Sequence, residues 1–321
     1  MTAVAVFPGQ GAQSVGMGKA LHDAFPAARD VFAAVDEALG QPLSRVVFEG
    51  PIEELTLTEN AQPALMATSL AALRALEAVS GRQLSSFAAY VAGHSLGEYA
   101  ALTAAGALDL GDAARLLRLR GRAMQEAAPV GTGAMAAVLG LAAAAVEAAA
   151  AEAAAEGGVC ELANDNADGQ AVLSGDKVAV ERAMALAKGK GAKRAILLQV
   201  SAPFHCALMA PAAERLGRAL REVRLVAPSV PLIANVTAEP VQEPEAIRGL
   251  LERQVTARVR WRESMGAMRR LGVDRMIELG AGKVLTGLAR RDLEGATLVN
   301  VQEPKDVEAL AASLNGPSTH G

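Results

Sequence analysis

A serine set between two glycines, where an apolar run meets an alanine-rich segment, constrains this chain more than any other feature. The stretch is "YVAGHSLGEYAAL", residues 90–102, with Gly93, His94, Ser95, Leu96 and Gly97 in the pattern G-x-S-x-G. Residues 87–92 are apolar and β-compatible, and residues 98–105 are helix-prone. A strand that turns sharply into a helix leaves no room for side chains beside the turning residue, hence the glycines. Such a nucleophile elbow presents its serine at the end of a sheet. The pattern alone equally describes a glycine-flanked surface turn with an idle serine, so other residues must decide.

The surrounding order of elements favours an enzyme of the α/β class. Residues 4–7 read as a strand, 27–39 as a helix, and 63–79 as a long helix with Pro63 in its first turn. A helix over 111–127 follows the elbow, and strands alternating with helices imply a largely parallel sheet. From Gly131 the texture changes. Residues 134–139, 159–163, 170–174 and 194–200 read as strands, and 142–155 and 177–188 as helices. That β-α-β-β-α-β order predicts an inserted ferredoxin-like subdomain of about 70 residues. The expected organisation is a catalytic core of residues 1–130 and 201–314, a subdomain of 131–200, and a disordered tail of 315–321. Strands at 230–235 and 275–279 belong to the core.

Composition narrows the class. Hydrophobic residues make up 51% and charged residues 21%, as in a water-soluble globular enzyme. A net charge of −4 argues against nucleic acid or an anionic membrane as partner. The two cysteines, Cys160 and Cys206, read as packing residues in a reducing compartment. The N-terminal residues lack a basic stretch and reach Pro8 too early for a signal peptide, and a cytoplasmic protein is expected. Residues 134–155 are alanine-rich, but Gly140, Glu147 and Glu152 interrupt them, which argues against a membrane span.

A serine nucleophile needs a base, and there are four histidines. His22 lies early, His320 is in the tail, and His94 faces away across the elbow. Elimination leaves His205, in "SAPFHCALM", with a hydrogen-bonded junction histidine as the competing reading. Arg120 is the second anomaly. On a helix over 112–127, Ala113, Leu116, Leu117, Ala123, Met124 and Ala127 share one face, and Arg120 falls at its centre. Arg115, Arg118 and Arg122 lie opposite as solvated charges. A buried guanidinium needs an anion or a full set of acceptors. Pattern leaves two partners open: a protein acid, or a substrate carboxylate held bidentately. "FPGQGAQ" is a weak dinucleotide fingerprint, since Ser14 stands at its third small position. "ELGAGKVLTG" lacks P-loop spacing, and no Cys/His cluster has zinc spacing.

Taken in order, "FPGQGAQ", "GHSLGEYAAL", "RGRAMQEA", "SAPFHCALM", "ERQVTARVRW" and "ELGAGKVLTGL" resemble the malonyl-CoA:acyl carrier protein transacylases over nearly the whole chain. The resemblance implies an α/β-hydrolase-like core with the inserted ferredoxin-like subdomain. It implies Ser95 as nucleophile, His205 as base and Arg120 as ligand of the malonyl carboxylate. The backbone N–H groups of Gln10 and Leu96 form the oxyanion hole, the Gln254 carbonyl orients the histidine, and Asn166 lines the cleft. Phe204, beside the base, favours malonyl over branched acyl groups. Ala281 stands where the family commonly has proline.

The implied reaction is ping-pong malonyl transfer from malonyl-CoA to acyl carrier protein, in fatty acid biosynthesis, by a monomer needing no metal or other cofactor. A trans-acting polyketide acyltransferase and a serine thioesterase or hydrolase are the alternatives. "KGKGAKR", with Lys188, Lys190, Lys193 and Arg194, is the densest basic run. It is either a docking surface for an acidic carrier or a solvated helix end.

Overall fold

Ten strands build two separate sheets in the computed structural model, which describes residues 2–129 and 131–316. In chain order the strands are β1 (Ala3–Phe7), β2 (Tyr90–Gly93), β3 (Gly133–Leu139), β4 (Cys160–Ala167), β5 (Gln170–Asp176), β6 (Arg194–Leu197), β7 (Leu232–Ile233), β8 (Pro240–Val241), β9 (Arg275–Leu279) and β10 (Thr297–Val301). The larger sheet has the order β10-β9-β1-β2-β7-β8. All its pairs are parallel except β7 with β8. Strand β1, "AVAVF", is buried along its whole length. An unbroken apolar run suits a central parallel strand covered on both faces.

The register of β1 with β2 decides where the site forms. Phe7 pairs with Gly93, so both strands end together. The "PGQG" turn after β1 and the elbow after β2 therefore lie side by side at the carboxyl edge, where open parallel sheets bind ligands. Gly9 is required there: a Cβ at this position would stand 2.7 Å from the His94 carbonyl oxygen.

The expected long helix runs from Thr58 to Ser80, which makes Pro63 its sixth residue. Proline is tolerated there with the loss of one hydrogen bond, to the Glu59 carbonyl. The turn before it is secured by Leu57, whose carbonyl accepts from Asn60 and Ala61 N–H. The helix Leu110–Ala127 packs against this helix, against Pro26–Leu39 and against Ala210–Glu222. The start of the helix Thr58–Ser80 corrects one expectation. Arg118 is buried rather than solvated, and it donates to Asn60 Oδ1 at 2.7 Å.

The smaller sheet is antiparallel in the order β4-β5-β3-β6. The helices Ala143–Ala155 and Lys177–Gly189 cover it, joined in one apolar cluster through Val146, Ala149, Val180 and Ala183. Strand β4 runs four residues past its expected end, because Val259 of the larger unit pairs with it. Val259 N–H donates to the Ala163 carbonyl at 2.8 Å, and Asp165 N–H donates to the Val259 carbonyl at 3.0 Å. This seam carries Asn164 and Asn166 to the elbow. Strand β2 begins later than expected because a 3-10 turn, Leu84–Ser86, occupies the approach. The last helix ends at Asn315, and residues 317–321, most of the tail expected to be disordered, lie outside the described residues. Cys160 and Cys206 are both buried and unpaired. No described helix is long and apolar enough to cross a membrane.

Candidate active site

Ser95 sits at the tip of the turn between β2 and the helix Gly97–Ala104, with φ at 53°. That left-handed backbone is uncommon for a residue with a side chain and persists only where surrounding contacts enforce it. Gly93 and Gly97 allow it. A Cβ on Gly93 would collide with the backbone of Gly97, and one on Gly97 with the Phe7 carbonyl. Asn235, just beyond β7, locks the turn from the side. Its Oδ1 accepts from Ser95 N–H and its Nδ2 donates to the Gly93 carbonyl, both at 2.7 Å.

His205 meets the serine from the chain that returns after β6. Its Nε2 lies 2.7 Å from Ser95 Oγ. Its Nδ1 lies 2.9 Å from the Gln254 carbonyl and 3.2 Å from that of Ala257. Two carbonyl acceptors fix the proton on Nδ1 and leave Nε2 as the acceptor for the hydroxyl. The ring is only 3% exposed. Burial, followed by the nearby Arg120 charge, pushes its pKa down to about 3, so the imidazole is neutral and its Nε2 is unprotonated.

Arg120 projects from the apolar face of its helix into the same place. One guanidinium nitrogen donates to Ser95 Oγ at 3.0 Å and to Gln254 Oε1 at 2.9 Å, and another to Gln62 Oε1 at 2.8 Å. Among the described residues Arg120 touches no carboxylate, and its Nε has no partner. With 2% of its surface exposed, this is a buried cation held by neutral groups, an arrangement that leaves it short of an anion.

These groups open on one cleft of about 300 Å³. Gln10, Leu96, Asn166 and Phe204 also line it. Among the described residues, neither the Gln10 nor the Leu96 backbone N–H donates to a protein acceptor. His94 lines the cleft as well. Its Nε2 lies 2.9 Å from Asn166 Oδ1, and its ring packs beside Trp261. Gln254 stands behind the cleft wall, completely buried. No group of three or more His, Cys, Asp or Glu side chains among the described residues is placed to hold a metal ion. Of the basic run, Lys190 pairs with Glu152 at 2.8 Å, and Lys193 lies over Gly140.

Three polar residues that the sequence reading did not single out complete the site. Gln62 and Asn235 supply the contacts given above. Glu98, 1% exposed, accepts from Asn235 N–H at 2.6 Å and from the Gln254 amide. Burial raises its pKa to about 8. The available signal was its place in the helix "GEYAALTA", whose other residues are apolar or small.

Comparison with known proteins places the chain in a family. A model of the acyl transferase domain family matches residues 4–312. The malonyl CoA-acyl carrier protein transacylase of Bacillus subtilis (strain 168) is 45% identical over 309 residues, covering 96% of each chain. That of Escherichia coli (strain K12) is 46% identical over 96% of this chain and 97% of its own. An acyl-carrier-protein-S-malonyltransferase from Bartonella henselae is similar in structure, with a TM-score of 0.95 and 52% identity over 98% of this chain and 100% of its own. A structure described as a type II PKS acyl-carrier protein in complex with its malonyl-transacylase contains a chain with a TM-score of 0.93 and 41% identity, over 98% and 100%.

Proposed function

We infer the reaction from one premise: the chain belongs to the acyl transferase domain family, among relatives named malonyl CoA-acyl carrier protein transacylase. It moves a malonyl group from malonyl-CoA to the pantetheine thiol of acyl carrier protein, through a malonyl ester on Ser95. The observation that carries this reading is the double contact at Ser95 Oγ, with His205 Nε2 at 2.7 Å and the Arg120 guanidinium at 3.0 Å. A base and an unneutralised cation on one nucleophile suit an acyl donor that carries its own carboxylate.

The steps follow from that arrangement. His205 Nε2 takes the hydroxyl proton as Ser95 Oγ attacks the thioester carbonyl. The Gln10 and Leu96 N–H groups receive the developing oxyanion; losing one such donor costs on the order of 100- to 1,000-fold in rate. The C–S bond breaks, and His205 returns the proton to the leaving sulfur of coenzyme A. In the second half-reaction His205 takes the proton of the carrier's thiol as the sulfur attacks the ester carbonyl; the C–O bond to Ser95 breaks, and His205 returns the proton to Ser95 Oγ. Arg120 grips the malonyl carboxylate throughout. Asn166 holds the His94 ring against the cleft wall. The basic run at the end of the helix Lys177–Gly189 and in the turn that follows is the docking surface for an acidic carrier, and the enzyme acts as a monomer. We read the larger unit, residues 1–130 and 201–314, as an α/β-hydrolase-like core and 131–200 as a ferredoxin-like insertion. The antiparallel order β4-β5-β3-β6 with two helices on one face supports the second label.

Arg120→Ala tests the role of the cation. The variant is expected to lose about 10- to 100-fold in kcat/KM for malonyl-CoA, the size of a lost charge-assisted contact, and little for acetyl-CoA. Equal losses on both esters, measured by loading kinetics, would assign Arg120 to structure alone.

Phe204 governs the acyl branch. Its ring lines the cleft directly before the base. Phe204→Ser is expected to raise the use of methylmalonyl-CoA relative to malonyl-CoA by an amount worth about 1–3 kcal/mol, the usual range for one methyl group. A competition assay with the two esters reads this, and an unchanged ratio would remove Phe204 from specificity.

A further inference from the structure

The buried carboxyl of Glu98 has no part in the steps above, yet it is one amide away from the cation that recognises the substrate. The Gln254 side chain links them: its Oε1 accepts from Arg120 at 2.9 Å, and its Nε2 donates to Glu98 Oε2. The other Glu98 oxygen accepts from Asn235 N–H. Arg120 and Glu98 themselves are not in contact among the described residues. The site thus contains one buried cation and one buried acid, held apart by a neutral bridge. A malonyl carboxylate docked on Arg120 would place two carboxyl groups around a single guanidinium in a dry pocket. Like charges so placed do not both stay ionised cheaply.

Building on the malonyl-transfer reading, we propose that Glu98 is the proton-linked counterion of Arg120: where its carboxyl is ionised, it takes up a proton from solvent when a carboxylated acyl group docks and none when a neutral acyl group does. The substrate carboxylate stays ionised because it touches the guanidinium directly, whereas Glu98 meets it only through Gln254. The charged and titratable groups around Glu98 support the assignment. Arg120 is the cation facing it from the neighbouring helix, the Tyr99 phenol lies beside it on its own helix, and Asn235 and Gln254 present neutral groups. Burial, the largest cause, raises the Glu98 pKa to about 8.

The sign of the effect follows by linkage. At neutral pH Glu98 is protonated, and malonyl meets an uncompensated cation. Above its half-titration point Glu98 is ionised, and docking must draw a proton from an ever scarcer supply. Malonyl use therefore falls relative to acetyl use as pH rises.

The experiment is the ratio of loading kcat/KM for malonyl-CoA and acetyl-CoA as a function of pH, with wild-type protein and Glu98→Gln. Taking a ratio cancels the titration of His205 and of coenzyme A. For wild type the ratio is expected to fall about tenfold between roughly pH 7 and 9, the factor reached one pH unit above half-titration. For Glu98→Gln it is expected to stay constant. A flat wild-type ratio, or a slope that persists in Glu98→Gln, overturns the proposal. Should that variant fail to fold, proton uptake by wild type in weakly buffered indicator solution decides. Uptake at about pH 8 with malonyl-CoA but not acetyl-CoA, and none near pH 6, is the expected result; equal signals overturn it. Loss of all covalent loading in wild type would defeat the malonyl-transfer reading itself, whereas intact loading with a flat ratio defeats only the role of Glu98.

Discussion

Ser95→Ala is expected to fold normally and take up no malonyl group from malonyl-CoA. The hydroxyl is half-buried at the mouth of the cleft, and deleting it leaves no large cavity, so stability should change little. Arg120 loses one of its acceptors but keeps Gln62 and Gln254. Chemically the change removes the one atom among the described residues that hydrogen-bonds to both His205 and Arg120. Loss of a serine nucleophile costs on the order of a million-fold in turnover. Carrier-protein malonylation by the variant, followed by mass spectrometry, should stay at background. Persistent labelling of the variant at another residue would remove Ser95 from the reaction.

His205→Ala is expected to slow both loading and transfer to carrier protein, each by roughly 100- to 10,000-fold, since one base serves both half-reactions. Two carbonyls hold its Nδ1, so its orientation does not depend on a carboxylate partner. The same burial predicts an unusual pH profile. The histidine pKa is depressed to about 3, so the neutral form survives acidification. A group with a depressed pKa gains its proton only as pH falls through that lower value. Loading by wild type should therefore stay level between about pH 5 and 7, where an unshifted histidine would lose activity near 6.5. A normal rate for either half-reaction in His205→Ala would show that another group supplies the base for that step. A titration centred near pH 6.5 would contradict the burial argument.

The elbow was readable because the spacing of its glycines is local, although the demand at Gly97 is set by the Phe7 carbonyl of the neighbouring strand. The spacing of Gly93, Ser95 and Gly97 reports a steric demand that no distant residue relieves. Arg120 was readable for a related reason: a cation at the centre of an apolar helix face contradicts its surroundings. Arg118 shows the limit of that argument. Its position opposite the apolar face predicted solvent, but the start of the helix Thr58–Ser80, through Glu59 and Asn60, covers it, and periodicity along one helix does not report which neighbours it has. Glu98, Asn235 and Gln62 were missed on the same ground. No local spacing pattern marks any of them, and the meaning of each lies in contacts 58 to 156 residues away along the chain. Strand β7 shrank to two residues because its partners fix the start of the Asn235 turn, which the strand-forming residues around it conceal. Pro63 reads as a first-turn residue by preference, while the capping contacts upstream carry the helix five residues further back.

The most direct test of the account is intact-protein mass spectrometry of wild type after brief exposure to malonyl-CoA, followed by addition of holo acyl carrier protein. The account predicts a single malonyl adduct, mapping to the peptide that contains Ser95. That adduct should persist in buffer and move to the carrier's pantetheine thiol when the carrier is added. Absence of any adduct, an adduct on another residue, or loss to water at the same rate with and without carrier would contradict it.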